Sequence, residues 1–425
     1  GFHSSVSVSD FGDLEMGAHG PDDYLSLYYA QHVNGQDNMV PNSTSRIQKF
    51  TKFRQMHLAQ KVLYKANDDL NFDLGLHYST TSDYPRYDRL STYDEDGMLH
   101  YAEWNYGPQE WFLANLQMTK LSSHSNLYDK IKISAAYQNF KESRINRRFN
   151  SEMRKIREEN VDAFSLNFDF YKLLSNNSTI SYGTEYIYNR VGSSGHKINI
   201  DTNASEAIAS RYPDGSKWQT LAAYLSHKYK PNSKLTVQSG IRYNYVTIDA
   251  DLTSNNTFFN FPFKMANLET SALTGTLGFS WNPNATFLWK LNATTAFRAP
   301  NIDDIGKIFD SEPGLVVVPN SNLKPEYAYG GELGVTVNLN ESVVFDFSSY
   351  YTYLDNALIR KGFSINGETE IEYDFELSEI QAIQNASQSW IYGFEAGLKV
   401  RFSKDLKFTT QYSYVHGVQE ETPGV

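Results

Sequence analysis

Apolar and polar residues alternate singly along runs of more than ten residues from one end of the chain to the other. A two-residue period is the geometry of a strand with one dry face and one wet face. Leu70, Phe72, Leu74, Leu76 and Tyr78 fall on one side of such a run, and Asn71, Asp73, Gly75, His77 and Ser79 on the other. Phe164, Leu166, Phe168 and Phe170 oppose Ser165, Asn167 and Asp169, and Leu235, Val237, Ile241, Tyr243 and Tyr245 oppose Thr236, Gln238, Gly240, Arg242 and Asn244. The same sorting recurs at Val343 to Tyr353 and Leu406 to Tyr414. Strands of soluble sandwiches and propellers average about 5–6 residues. These runs are twice that, so the chain is all-β and of another kind.

The connections between runs predict the kind. Tight, turn-prone segments at Asn67-Asp68-Asp69, Ser175-Asn176-Asn177, Pro231-Asn232-Ser233, Asn282-Pro283-Asn284, Asn338-Leu339-Asn340 and Ser403-Lys404-Asp405 alternate with long polar ones near 20–45, 87–108, 200–216, 253–267, 302–324 and 364–384. Short turns at one end of every hairpin and long loops at the other, with an apolar outer face, match a transmembrane antiparallel β-barrel of the bacterial outer membrane. No 18-residue apolar run exists to make a transmembrane helix. Roughly fifteen strands are expected. Plugged transporters use about 22, so residues 1–425 read as an internal part of one barrel domain, with the plug and the first and last strands outside it. Gly1-Phe2-His3-Ser4-Ser5 lacks the basic-then-apolar order of a signal peptide.

Composition removes other functions. A net charge of −11 argues against a nucleic-acid partner, and zero Cys removes thiolate nucleophiles and Cys-ligated metals. No His-Glu-x-x-His, Gly-x-Ser-x-Gly or phosphate-cradling glycine motif is present, so no enzyme is expected. Asp94-Glu95-Asp96 and Asp303-Asp304 are oxygen-rich, but neither has the ligand spacing of a calcium loop, and no metal site is assigned.

Two segments stand out: Ala296-Phe297-Arg298-Ala299-Pro300-Asn301, and after a loop Asn320-Ser321-Asn322-Leu323-Lys324-Pro325-Glu326. Physically, Pro300 stops one strand and Pro325 opens the next, because proline lacks a ladder donor. Arg298 is placed to fork onto Asp303, Asp304, Asp310 or Glu312, and Lys324 to pair with Glu326. Together the segments resemble the signature of TonB-dependent outer-membrane receptors. Ser79 to Leu90, Trp104-Asn105-Tyr106-Gly107-Pro108-Gln109, and Glu142-Ser143-Arg144 with Arg147-Arg148-Phe149 resemble the haem and haemoglobin branch of that family.

The resemblance implies a barrel in the outer membrane of a Gram-negative cell, importing a scarce nutrient with energy from a TonB-type complex acting through the plug. The implied cargo is a small iron-bearing ligand or haemoprotein, either haem or a ferric siderophore. The alternatives are glycan, peptide or cobalamin-like cargo, or a passive porin or adhesin barrel. No resident cofactor is expected. Residues 301–319 lack the loop histidine of haem receptors, which leaves as substitutes His19, His32, His100 and His196, in or next to long loops, and His416, expected to follow the last strand at its loop end. Arg86, Asp88, Arg89, His100, Tyr106 and His196 are the candidate ligand contacts, with a rim salt-bridge network as the competing role for Arg86, Asp88 and Arg89. Tyr84, Tyr87, Trp104, Tyr106 and Trp111 fit an interface girdle or a stacking platform.

Overall fold

The computed structural model describes residues 1–259, 261–312, 314–373, 376–385 and 388–420. Fifteen long strands form the wall: β1 (Phe2–Phe11), β2 (Phe53–Lys65), β3 (Leu70–Thr81), β4 (Glu110–Leu121), β5 (Lys130–Arg148), β6 (Met153–Ser175), β7 (Ser178–Asn199) and β8 (Ser216–Asn232), then β9 (Leu235–Asp249), β10 (Leu268–Trp281), β11 (Phe287–Arg298), β12 (Glu326–Asn340), β13 (Val343–Asp355), β14 (Gln388–Arg401) and β15 (Lys407–Glu420). Each is laddered antiparallel to the next in sequence. The fold class is therefore the all-β antiparallel barrel that the alternation predicted. Among the described residues no helix is long and apolar enough to cross a membrane.

The two parities separate as expected. Leu74, Leu116, Phe164, Leu221, Ile241, Leu273, Leu333 and Tyr351 share the outward parity and stay exposed. Inward, Asn167 donates to Glu185 at 3.0 Å, Arg242 reaches Glu185 at 2.6 Å, and Tyr224 donates to Asp169 at 2.5 Å. An exposed apolar belt around a polar interior is stable where hydrocarbon replaces water.

Three local expectations are corrected. The ladders run one to two residues into the anticipated turns, pairing Asn232 with Leu235 and Asn340 with Val343, because each asparagine side-chain oxygen closes the turn by accepting from the amides that follow it. At the loop end, β5 and β6 meet in a tight turn instead of a long loop, since their 19 and 23 residues carry the hairpin beyond the rest of the wall. His416 lies within β15, packing on Tyr392 at 5.3 Å, and does not follow the strand.

The long loops are not irregular either. Phe309–Glu312, Leu315–Val317, Leu358–Gly362, Glu370–Tyr373 and Glu376–Asn385 form one five-stranded sheet across two loops, with Leu315–Val317 parallel to Glu379–Gln381. Beneath it, Val191, Ile248, Ala250, Leu252, Ile302, Ile305 and Leu323 form one buried cluster, and Phe261, Ile308, Val316, Val318, Ile380 and Ala382 another. Full burial of each larger apolar side chain contributes about 1.5–3 kcal/mol. The loops thus cap the loop end of the barrel as a packed body.

Candidate functional site

The signature segments build the base of this cap. Phe297 and Arg298 end β11, with Phe297 packed on Tyr327 at 5.4 Å. Asn301 then caps the short helix α1 (Ile302–Gly306): its side chain accepts from the Asp304 amide while the Asp304 carboxylate accepts from the Asn301 amide. The same carboxylate receives Arg298 at 2.9 and 3.0 Å, so of the four carboxylates considered for Arg298 it is Asp304 that is held. The side chains of Asp310 and Glu312 lie outside the described residues. Pro300 is fully buried, and Ala299 lies between it and Arg298. Asn320 donates to the Ile383 carbonyl at 2.8 Å and accepts from the Asn322 amide at 3.0 Å, while Leu323 enters the first cluster. The Lys324 backbone is pinned by Asn385 on both sides, and Pro325 leads into β12. The expected pair of Lys324 with Glu326 is not formed among the described residues; Glu326 instead accepts from the Leu358 amide at 2.8 Å.

Helix α1 transmits that anchoring inward. Asp303, one residue before Asp304, accepts from Tyr212 at 2.7 Å and pairs with Lys307 at 2.6 Å. Burial alone would raise the Asp303 carboxyl, but the Lys307 and Tyr212 hydrogen bonds outweigh it and hold it below the usual range. Burial first, and then the Asp303 charge, push the Tyr212 hydroxyl well above its ordinary value. Tyr212 therefore stays a donor. Its neighbour Arg211 is 3% exposed and points back to the hairpin of β5 and β6.

That hairpin carries the chemistry. On its inward parity Glu142 stands opposite Glu159, and Arg144 opposite Arg157. Like charges directly opposed destabilise a sheet. Relief comes diagonally and from the cap: Arg144 lies 3.7 Å from Glu142, and Arg211 lies 3.4 Å from Glu159 and 3.7 Å from Glu142. The relief is incomplete in hydrogen bonds. Among the described residues Arg144 Nε, both Glu159 carboxylate oxygens, and Arg211 Nε and Nη1 are buried with no hydrogen-bond partner.

Aromatic rings complete the face. The Arg86 guanidinium lies 5.1 Å from the Trp104 ring and 5.4 Å from Tyr106, and donates to the Tyr106 hydroxyl at 2.7 Å. Arg144 sits 5.2 Å from the same Tyr106 ring, and Arg157 5.8 Å from Tyr373. Asp88 grips Arg86 with a 2.6 Å bond to Nε, and that hydrogen bond is the main reason Arg86 is held even more firmly protonated than usual. Tyr106 owes its position to Gly107, whose φ of +112° and 2.9 Å approach of a notional Cβ to Asp83 Cα suit glycine alone. Guanidinium forks beside rings can bind carboxylates or other oxygen anions, and planar groups through cation–π contact.

Other candidates lie elsewhere. Arg89 sits in the four-residue helix Tyr87–Leu90 and makes no ion pair among the described residues, so the rim network there is Arg86 with Asp88. Tyr87 is exposed and Tyr84 packs on Phe53 and Tyr106. The His100 ring packs on Tyr101 at 4.6 Å. His196 is laddered opposite Ile156, on the parity facing away from Arg157 and Glu159. His32 belongs to a second network, bonding Asp37 at 2.7 Å while Arg147 bridges Asp37 and Glu103. Burial would raise the Asp37 and Glu103 carboxyls, but their arginine partners hold both low. Asp94 accepts the amides of Asp96 and Met98, as a turn does. Among the described residues no group of three His, Asp or Glu is arranged to hold a metal.

Sequence reasoning passed over Arg157, Glu159, Arg211, Tyr212 and Tyr373. For the first two a signal was present: they continue the wet-face parity of Ser165, Asn167 and Asp169.

The family profile described as "TonB dependent receptor-like, beta-barrel" matches residues 31–424. No curated protein sequence matches the chain. Among solved structures, the copper transporter OprC is similar with a TM-score of 0.69 at 12% identity, over 98% of this chain and 57% of that one. The Serratia marcescens haemophore receptor HasR, solved with its haemophore HasA and haem, gives 0.64 at 13% identity over 99% and 59%. The FrpB iron transporter of Neisseria meningitidis (F5-1 variant) gives 0.64 at 13% over 99% and 59%. The chain spans less than two thirds of the length of these structures, and at such identities the likeness is one of fold.

Proposed function

The chain belongs to the TonB-dependent receptor β-barrel family, and we propose that it forms the wall and cap of an outer-membrane receptor for active uptake of an iron-bearing, anionic ligand. The family's members are outer-membrane transporters, not enzymes. In this reading the ligand enters beneath the loop cap, a TonB-type complex acts through a plug in the lumen, and lipid surrounds the wall.

One observation carries the choice of ligand: Arg86, Arg144, Arg157 and Arg211 converge with Trp104, Tyr106 and Tyr373 on the inward face of the cap, with hydrogen-bonding atoms of Arg144 and Arg211 unspent. Ferric siderophores and haem propionates both offer oxygen anions to such a face. A siderophore suits it better, because His196 stands on the opposite parity and is not aimed at a planar iron centre here. Haem is the second reading, favoured by the resemblance of Trp104 to Gln109 and Glu142 to Phe149 to the haem branch.

The test is titration of the complete receptor in detergent with haem, followed at the Soret band, and with ferric siderophores, followed by protein fluorescence. Arg144→Ala should weaken the true ligand at least about tenfold, as loss of a charged hydrogen bond of 1.5–3 kcal/mol does. Binding of neither class would move the cargo to glycans, peptides or cobalamin-like nutrients. A normal affinity in Arg144→Ala would remove the cap face from the mechanism.

A further inference from the structure

The wall contains a seam that is laddered along only half its length. β10 and β11 pair from Trp281↔Trp289 up to Thr276↔Thr294 and no further, although β10 begins at Leu268 and β11 runs to Arg298. The flanking ladders do not stop there: β9 pairs β10 as far as Ile248↔Leu268, and β11 pairs β12 as far as Arg298↔Glu326. The opening is confined to one seam and to its loop-side half.

Side chains stand in for part of the lost ladder. Thr295 Oγ1 accepts from the Gly275 amide at 2.8 Å and reaches the Gly275 carbonyl at 3.4 Å, and the Tyr327 hydroxyl donates to the Ser271 carbonyl at 3.3 Å. Backbone polar groups in hydrocarbon must be satisfied within the protein, and these bonds satisfy the Gly275 amide and the Gly275 and Ser271 carbonyls where the ladder stops. The opening is thus a built feature of the wall.

At the seam the outward face is hollow. Ser239, Gly275 and Ala293 form a low floor, and Ile241, Tyr329 and Tyr351 rise around it, bordering an open hollow of about 860 Å³. That is within the ~300–1,000 Å³ of ordinary small-ligand sites. The lining is almost wholly apolar, and the hollow is continuous with the outward belt, where Ile241, Leu273 and Tyr351 are 56%, 67% and 50% exposed. Hydrocarbon is the medium that meets this belt once the barrel is in its bilayer.

We propose that this seam hollow is a binding site for one acyl chain of a membrane lipid. The proposal rests on the reading of the chain as an outer-membrane barrel. A chain lying over Gly275 and Ala293, flanked by Tyr329 and Tyr351, fills the concavity that a smooth wall would not have and covers the last rungs of the ladder, where Gly275 and Thr295 begin to part.

The test is photolabelling of the complete receptor in vesicles of phosphatidylethanolamine carrying a diazirine in the acyl chain, with adducts mapped by peptide mass spectrometry. Peptides containing Ile241, Ala293 and Tyr329 should be labelled at least about fivefold more than outward peptides containing Leu74 or Leu116, the lower end of the occupancy ratio that a preference of about 1–2 kcal/mol represents. Ala293→Phe should reduce them to that background, whereas Ala114→Phe, on the outward parity of β4, should not. Heat-modifiable gel migration reports whether each variant is a folded barrel, and Ser239→Phe serves as the second filling variant should Ala293→Phe fail to insert. Uniform labelling around the wall, or unchanged labelling in a folded filling variant, overturns the proposal. Absence of labelling at every outward position overturns the barrel reading and this site with it.

Discussion

Asp304→Ala should loosen the cap without harming the barrel, and its size can be worked from the contacts. The carboxylate accepts from the Asn301 amide at 3.0 Å and from Arg298 at 2.9 and 3.0 Å, and it is 9% exposed. Loss of a helix-capping interaction costs about 1 kcal/mol. The Arg298 guanidinium is 46% exposed and so is screened; its share is about 0.5 kcal/mol. The freed Asn301 amide is the donor of that capping bond and sits on an exposed residue, so the total comes to about 1.5 kcal/mol. Loops open locally on their own free-energy scale, so amides of 301–323 should exchange about 12-fold faster, the factor that about 1.5 kcal/mol represents. The assay is hydrogen exchange of the complete receptor in detergent, with β5 and β6 peptides as the internal reference. Arg298→Ala should produce only about a twofold change, because it spares the capping box. Equal effects of the two variants, or less than a threefold effect of Asp304→Ala, would refute the assignment of the cap's base to the Asn301–Asp304 box.

Three further outcomes are expected. Phe168→Arg, on the outward parity, should impair insertion, since arginine on the lipid face of a barrel costs about 2–4 kcal/mol at mid-depth, whereas Asn167→Arg can face Glu185 and should be tolerated; the yield of heat-modifiable protein in membranes compares them. Gly107→Ala should strain the backbone by about 1–3 kcal/mol and displace Tyr106, seen as weaker ligand binding with unchanged barrel migration. His32 is raised above 6.5 chiefly by its hydrogen bond to Asp37, so its tethering of the hairpin Tyr28–Val33/Gln36–Pro41 is complete below pH 6.5 and is lost as pH rises through the elevated value. Exchange of 28–41, corrected for intrinsic rates, should therefore be slower at the acidic end, and His32→Gln should abolish that dependence.

What could be read from sequence follows the range of the interaction. The wall was legible because alternation is local: each residue's neighbours declare its face, and Leu74 or Phe164 needs no knowledge of a distant strand. For Arg298 the sequence offered four loop carboxylates, and the nearby Asp304, six residues on, is the one held. The cap sheet was not, since Leu315 pairs with Glu379 and nothing periodic marks either partner. His196 was chosen for its chemistry, and parity shows the limit of that choice: it shares a face with Ile156, not with Arg157.

The hairpin of β5 and β6 shows where stability and function pull apart. Glu142 opposite Glu159 and Arg144 opposite Arg157 is an arrangement that a sheet selected for stability alone would avoid. Apolar residues at these four positions would remove the repulsion and the unbonded atoms of Arg144 and Glu159, though they would leave the buried Arg211 without its two carboxylates. Keeping them costs stability locally, and the cap supplies Arg211 to balance the two glutamates. The same insertion of Arg211 raises the local density of guanidinium groups around Glu142 and Glu159. A pattern that violates the rules of its own strands while converging with a second loop on one face is what the proposed anion-binding role would require. The signature segments act through that site without being part of it, from Arg298 through Asp304 and helix α1 to Asp303, Tyr212 and Arg211.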